Sequence, residues 1–407
     1  MLFLQLNKND IKNHDKIIMV FYYGYWYNKQ RWLKLKKIIK ICLVVSFLLV
    51  TGCQEKYQYY SKQIVGPFDT ITTYITYAKS EEDFEKQCDM IDEKLNYYDH
   101  LFDKYSSYDD LNNVKTINDY AGKKAIEVDQ PLINLLELSI QRYKDISSKV
   151  NIAFGSVIEI WHTYREMAES NGGVGKVPSM EELKKANQHT NIESIKIDKE
   201  KKTVYISDEK VSIDLGATAK GYAIELVKQE LIDMGVDNFL LSGGGNVASY
   251  GERKITKEGD FYLDECQNKY CVGIQSPGDG NFSHDADDEN IENEAILVVQ
   301  GESIVTSGDY QRFYEDINGV RYHHLIDPET LYPAVHFRSV SIITEDSGYA
   351  DFLSSAVFLM EYEDGLDLIN SLDGVEAIWL LEDGKIRYSD GLKDGKDFYV
   401  IDKERIK

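Results

Sequence analysis

Positive charge is scarce in this 407-residue chain: 46 Lys and Arg face 69 Asp and Glu, a formal net charge of −23 at pH 7. Residues 1–52 carry nine Lys/Arg and two Asp/Glu, a net of +7 that leaves −30 for the remainder. Such an acidic surface lacks the basic footprint that a phosphate backbone requires, which excludes nucleic acid as a partner. Cysteine is scarce too. Cys42 and Cys53 fall in or at the end of the leader, and the other three, Cys88, Cys266 and Cys271, cannot build a disulfide framework. Cys266 and Cys271 can pair within a hairpin, but two reduced or loosely paired thiols are the preferred reading, and a metal site there lacks nearby His. Long apolar runs are missing as well. Ile41 to Val50 has ten residues, too few for a comfortable membrane-spanning helix.

What is present is a leader, a globular chain and an acidic stretch. Gln30 to Lys40 is basic, the short apolar run follows, and Leu49-Val-Thr-Gly-Cys53 closes it. That order reads as a secretory signal of the bacterial lipoprotein kind, with a short uncleaved anchor as the alternative. Cys53 is then the lipidated residue, and the domain is expected on the extracytoplasmic face of the cell membrane, held by its lipid. Residues 1–52 are assigned to an N-terminal extension plus signal, 53–63 to a lipidated linker, and 64–405 to one domain. Hydrophobic content of 43% with 28% charged residues fits a folded chain rather than a disordered one. An insertion from about 253 to 294 holds a dense run of Asp and Glu without apolar periodicity and reads as solvated.

Periodicity sketches the rest. Ile71–Tyr77 alternates as a strand; Glu81–His100 and Pro131–Ser147 have helical spacing; Tyr105–Tyr120 reads as a loop. Ser179-Met-Glu-Glu is a capping signature for a helix, and strands at 194–198 and 203–206 form a hairpin. Antiparallel hairpins with interspersed helices indicate an α+β fold with mixed or antiparallel sheets.

Ile213-Asp-Leu-Gly-Ala-Thr-Ala-Lys-Gly-Tyr222 is the most informative segment. An apolar strand end runs into small residues, and a helix starts at once, apolar at Ala223, Leu226, Val227 and Leu231. Small residues let backbone groups approach a ligand, a helix N-terminus favours negative charge, and Lys220 adds a point charge, so the layout suits a polyphosphate. A strand–turn–helix junction with a surface lysine is the alternative. Four further segments follow in order: Asn238 to Asn246 with its glycine run, Thr306-Ser-Gly-Asp-Tyr310, His323-His-Leu-Ile-Asp-Pro-Glu-Thr330, and Ala350-Asp-Phe-Leu-Ser-Ser-Ala356.

In that order these segments resemble the ApbE family, the FAD:protein FMN transferases, over roughly residues 60–405. The resemblance implies one compact domain related to the T-fold, with FAD as substrate. It implies Mg²⁺-dependent transfer of FMN to a Thr or Ser hydroxyl of an acceptor flavoprotein, a membrane or surface redox protein, with release of AMP. The metal ligands it implies are the main-chain carbonyl of Ala217, Asp351 and Ser355. Asp351 and Ser355 stand four apart on an expected helix and so share one face. Flavin contacts fall on Phe68, Tyr105, Asn151, Asp214, Lys220 and Ile326. His324 is the candidate general base, with Lys220 and Asp351 as the other catalytic groups. A packed structural histidine is the alternative for His324, and a turn former for Asp327. The chain departs from the family pattern at Ser355 (usually Thr), Phe68-Asp69 (Met-Gly), Ala153 (Thr) and Leu331 (Gly). An FAD pyrophosphatase that uses water, or a noncatalytic FAD-binding lipoprotein, are the alternative functions.

Overall fold

Gln58–Val65 (β1) pairs antiparallel along its whole length with Ile71–Ala78 (β2), so most of the expected linker is strand. Its polar residues conceal the pattern: Ile64 is buried and the Tyr60 ring stacks on Phe84 at 4.9 Å. The computed structural model describes residues 57–254, 264–277 and 293–401, within one unit, Tyr57–Lys407. The signal sequence, Cys53 and the acidic run between Asp279 and Glu292 lie outside the described residues.

Helix Glu81–Phe102 (α1) begins where the Ser80 hydroxyl accepts the Asp83 amide at 3.1 Å, and buries Phe84, Cys88, Ile91, Leu95 and Leu101 along one stripe. The expected loop after it contains a short helix, Val114–Asp119 (α2), started by a reciprocal Asn113–Thr116 cap. Then come Ile126–Glu127 (β3), Gln130–Asp145 (α3), Gly155–Glu169 (α4), Met180–Ala186 (α5), Ile195–Asp198 (β4) and Thr203–Ile206 (β5). Helix Ala219–Asp233 (α6) leads to the hairpin Asn238–Gly243 (β6) and Asn246–Gly251 (β7). Tyr270–Gln275 (β8), Asn293–Val299 (β9), Ser303–Gly308 (β10), Phe313–Glu315 (β11), Arg321–His323 (β12) and Phe337–Thr344 (β13) follow. Ser347–Phe358 (α7), Tyr362–Asn370 (α8), Glu376–Leu381 (β14), Ile386–Tyr388 (β15) and Phe398–Val400 (β16) complete it.

The main sheet is antiparallel, in the order β1-β2-β6-β7-β10-β13-β14-β15. Both its faces are covered. Val340, Ile342, Ala377 and Trp379 point to the side of α7, while Ile343, Ile378 and Leu380 point to the small sheet β16-β9-β8. The period of two therefore distributes one set of strands between two cores. Helix α7 is apolar nearly all round and buried from Ser347 to Phe358 apart from Tyr349, as a helix inside a core must be.

Two expectations are corrected. The segment read as a solvated insertion contains β8, whose Tyr270 and Ile274 are core residues. The two Leu/Ile-poor halves around it hid that strand. Cys266 and Cys271 form a disulfide, not free thiols, because a 3-10 turn and the start of β8 bring their Cα atoms to 5.6 Å. Cys88 is buried and unpaired. Among the described residues no helix is long and apolar enough to cross a membrane. The α+β class with antiparallel sheets and interspersed helices is as expected.

Candidate active site

The loop before α6 is fastened before it reaches the site. The Asn118 side chain bonds both polar groups of Ile213, at 2.8 and 3.0 Å, and the Asp214 amide donates to the Ile152 carbonyl at 2.9 Å. Gly221, in the first turn of α6, then lies against α7. A Cβ there would collide with the Asp351 side chain and stand 2.5 Å from the Ser347 carbonyl. Without it the two helices cross closely enough for the Gly221 N–H to donate to Asp351 Oδ2 at 2.8 Å. Next in sequence, Lys220 donates from Nζ to the carbonyl of Gly244. Gly244 and Gly245 have φ of +49° and +87°, and a Cβ at Gly244 would strike the Thr70 hydroxyl, so the turn needs glycine. Burial holds the Lys220 ammonium below the usual lysine range, against the opposing pull of Asp351, and the charge of Arg312 lowers it further.

Asp351 and Ser355 are buried one turn apart on α7. Burial raises the Asp351 carboxyl, while Lys220 and the Gly221 amide offset part of that rise. The Asn246 side chain, at the end of the glycine turn, is buried next to the Asp351 carboxyl and also offsets part of that rise. Ala217 packs against the core cluster that α7 dominates. Among the described residues no group of three His, Cys, Asp or Glu side chains could hold a metal. A cation held by the expected ligands would rest on one carboxylate, a hydroxyl and a main-chain carbonyl. That all-oxygen set fits Mg²⁺, which takes few protein ligands and shares phosphate oxygens, and does not fit zinc.

On the other side of the loop Asp214 meets a residue that sequence reasoning missed. Lys104 Nζ is 2.8 Å from Asp214, 3.3 Å from Glu159 and 4.8 Å from the centre of the Tyr105 ring. Burial would raise the Asp214 carboxyl, but Lys104 and the Gly216 amide outweigh it and hold it below the usual carboxylate range. Tyr105 is half exposed, its ring 5.0 Å from that of His162. The only sequence signal for Lys104 was its place beside Tyr105. Asn151 is braced at both ends of its side chain, to the Thr190 carbonyl at 2.8 Å and from the Ala153 amide at 2.9 Å, so it holds the turn. Phe68 is partly buried against the core, and Ile326 is buried with Phe154, Trp161 and Leu331.

The two adjacent histidines differ. His323 Nε2 is 2.7 Å from the Ala334 carbonyl and its Nδ1 accepts the Leu325 amide at 3.2 Å, which fixes a neutral ring as a structural brace. His324 Nδ1 is buried with no partner. Burial, then the charges of His323, Arg312 and Arg165, bring its pKa down to about 3. It is therefore a neutral imidazole with an unused nitrogen. Asp327 accepts the Glu329 amide at 3.1 Å and pairs with Lys149 at 2.9 Å, which makes it the turn former. Asp309 is held by Arg338 Nε at 3.1 and 2.9 Å.

A buried carboxylate near a partly buried lysine at a helix start, in an α+β fold that also holds a neutral histidine with an unused nitrogen, has the make-up of an enzyme site. The sequence model of the ApbE family matches residues 68–379, and the chain belongs to that family. It is 32% identical over 287 residues to the FAD:protein FMN transferase of Treponema pallidum, covering 68% of this chain and 73% of that protein. It is 26% identical over 295 residues to the Klebsiella pneumoniae protein of the same name, with 70% and 82% covered. The crystal structure of the ApbE protein from Thermotoga maritima superposes with a TM-score of 0.67 at 26% identity, covering 82% of this chain and 98% of the other. The flavin transferase ApbE from Vibrio cholerae, at 20% identity and a TM-score of 0.62 over 82% and 98%, shares the fold.

Proposed function

We propose that this enzyme transfers FMN from FAD to a Thr or Ser hydroxyl of an acceptor flavoprotein, releases AMP, and uses Mg²⁺. The observation that carries the reading is the crossing of α6 and α7 at Gly221, which sets Lys220 beside the buried Asp351. A cation bound by Asp351, Ser355 and the Ala217 carbonyl supplies charge neutralisation at the pyrophosphate. Lys220 adds a positive charge that burial strengthens, because fewer water dipoles screen it. Tyr105, with Asp214 fixed by Lys104, offers a preset edge for the flavin nucleotide. His324, neutral and with Nδ1 unused, accepts the hydrogen bond of the incoming hydroxyl and aims its oxygen at the FMN phosphorus. The new P–O bond forms there, the bond to the bridging oxygen breaks, and AMP leaves with that oxygen. The hydroxyl proton departs through His324 to water. Little base strength is needed, since phosphoryl transfer depends mostly on positioning and charge.

The site of action in this reading is outside the cytoplasmic membrane, tethered through lipid on Cys53. The basic leader ending at Cys53 and the Cys266–Cys271 disulfide support it, since disulfides persist in oxidising compartments.

The test is an intact-mass measurement on a candidate acceptor protein incubated with the enzyme, FAD and Mg²⁺. An increase of one FMN, lost with EDTA and with Asp351→Ala, is expected. Free FMN and AMP with an unmodified acceptor would instead establish a pyrophosphatase. FAD left intact with every acceptor would overturn the reading.

A further inference from the structure

Four arginines lie around His324 and Asp309, and one of them stands apart. Arg165 pairs with Glu169 at 3.4 Å, and Arg338 and Arg321 approach Asp309 at 2.9 and 3.9 Å. Arg312 is exposed and, among the described residues, has no carboxylate within ion-pair distance.

Its position follows from the ladder. Phe313 pairs with His323 at the open end of the β11–β12 hairpin, so Arg312 and His324 are the next residues outward on the two segments, and the Arg312 main chain lies against the His324 ring. Its charge acts on both His324 and Lys220, although these belong to segments far apart in sequence. Like charges near each other raise each other's energy, and the Asp351 carboxylate is already engaged by the Gly221 amide. An anion bound between them removes that repulsion, and a guanidinium can bind phosphate oxygens through two N–H groups at once.

We propose that Arg312 is a substrate-binding residue that contacts the FAD pyrophosphate from the hairpin side, while Lys220 contacts it from the start of α6. The inference rests on the reading of this site as the one that binds FAD.

The experiment titrates the purified protein with FAD and with riboflavin, which has no phosphate, in EDTA so that nothing turns over. Binding is followed by flavin fluorescence, and thermal melting is recorded for each variant. Arg312→Met is expected to weaken FAD binding about 10- to 100-fold, as loss of a charged hydrogen bond does, while riboflavin binding and Tm stay as in the wild type. Arg312→Lys is expected to recover part of the affinity, because a point charge replaces the fork. Wild-type affinity of Arg312→Met for FAD, or an equal loss for riboflavin, overturns the assignment. A wild-type protein that binds no FAD overturns the underlying flavin reading instead, and Arg312 falls with it.

Discussion

Gly221 and Asp351, 130 residues apart, are joined by one hydrogen bond of 2.8 Å from the Gly221 amide to the Asp351 carboxylate. This bond couples the two segments on which the proposed chemistry depends, and a Cβ at position 221 would collide there. Gly221→Ala places a methyl group against the Asp351 side chain and the Ser347 carbonyl, so one helix must shift. Overpacking of this kind costs about 1–3 kcal/mol. Transferase activity should fall further than the melting temperature suggests, because the shift moves Lys220 and Asp351 relative to each other. Equal activity in a variant that melts a few degrees lower would contradict this coupling.

A charged carboxylate at Asp351 costs the fold stability, because burial favours its neutral form. Burial raises its folded-state pKa above the unfolded value, so its contribution to stability falls as pH rises from the unfolded value to the folded one. Asp351→Asn keeps the acceptor for the Gly221 amide and removes the buried charge. Without added metal its Tm at neutral pH should equal or exceed that of the wild type. Mg²⁺ should raise the wild-type Tm and leave that of Asp351→Asn unchanged, and transfer should be lost. Scanning calorimetry with and without Mg²⁺ checks all three.

Lys104 and Asp214 form a pair with side chains only 8% and 15% exposed. Lys104→Met leaves a buried carboxylate without its partner, an effect worth about 3–5 kcal/mol. Because the folded Asp214 carboxyl is held low, its stabilisation is fully present above the unfolded carboxylate pKa and is lost as pH falls through the folded one. Lys104→Met should abolish that acid-side dependence, and the double variant Lys104→Met/Asp214→Leu should regain much of the stability. Urea unfolding at pH 7 and pH 3 measures both.

These pairs show what a linear reading can and cannot recover. Helix α6 began where Asp214-Leu-Gly-Ala predicted, and the Ser179 cap was visible because its partners lie within one turn. Lys104 and Arg312 were not visible, since each acquires meaning from a residue more than ten positions away: Asp214 for one, His324 for the other. Strand β1 was missed because Tyr, Lys and Gln fill it, and an edge strand needs burial only at positions such as Ile64. Asn151 was placed at the flavin by resemblance, and its part in bracing the turn, at both ends of its side chain, was not visible in the sequence.

His324 separates two kinds of pH dependence. With a pKa of about 3, lowered first by burial, it is neutral throughout the physiological range in the free enzyme. The pH profile of kcat/KM reports the free enzyme, so it should show no inflection near pH 6.5 from this residue. His324→Gln should lower the rate about 10²- to 10⁴-fold, the usual contribution of a positioned proton acceptor, without changing the shape of that profile. A wild-type inflection near pH 6.5 that disappears in His324→Gln would show that the imidazole titrates and acts as a full base.

Two departures from the family pattern put a non-glycine residue into left-handed backbone. Asp69 and Leu331 stand where the family carries Gly, and both have a left-handed backbone, with φ of +53° and +64°. A non-glycine residue in that region costs about 1–2 kcal/mol, less for Asp, so each position carries strain. The side chains decide the sign of a reversal. Asp69 is exposed, and Asp69→Gly exchanges relief of strain for greater freedom of the unfolded chain, which should leave stability within about 1 kcal/mol of the wild type. Leu331 is 4% exposed and packs with Trp161 and Ile326. Leu331→Gly loses that buried side chain, about 2–5 kcal/mol for removal to Ala alone, and recovers only the strain. It should therefore be clearly destabilised, and because Trp161 donates to the Leu331 carbonyl at 3.0 Å, its fluorescence should report the loosening before the global melt. Equal stability of the two glycine variants would mean that backbone strain outweighs packing at Leu331.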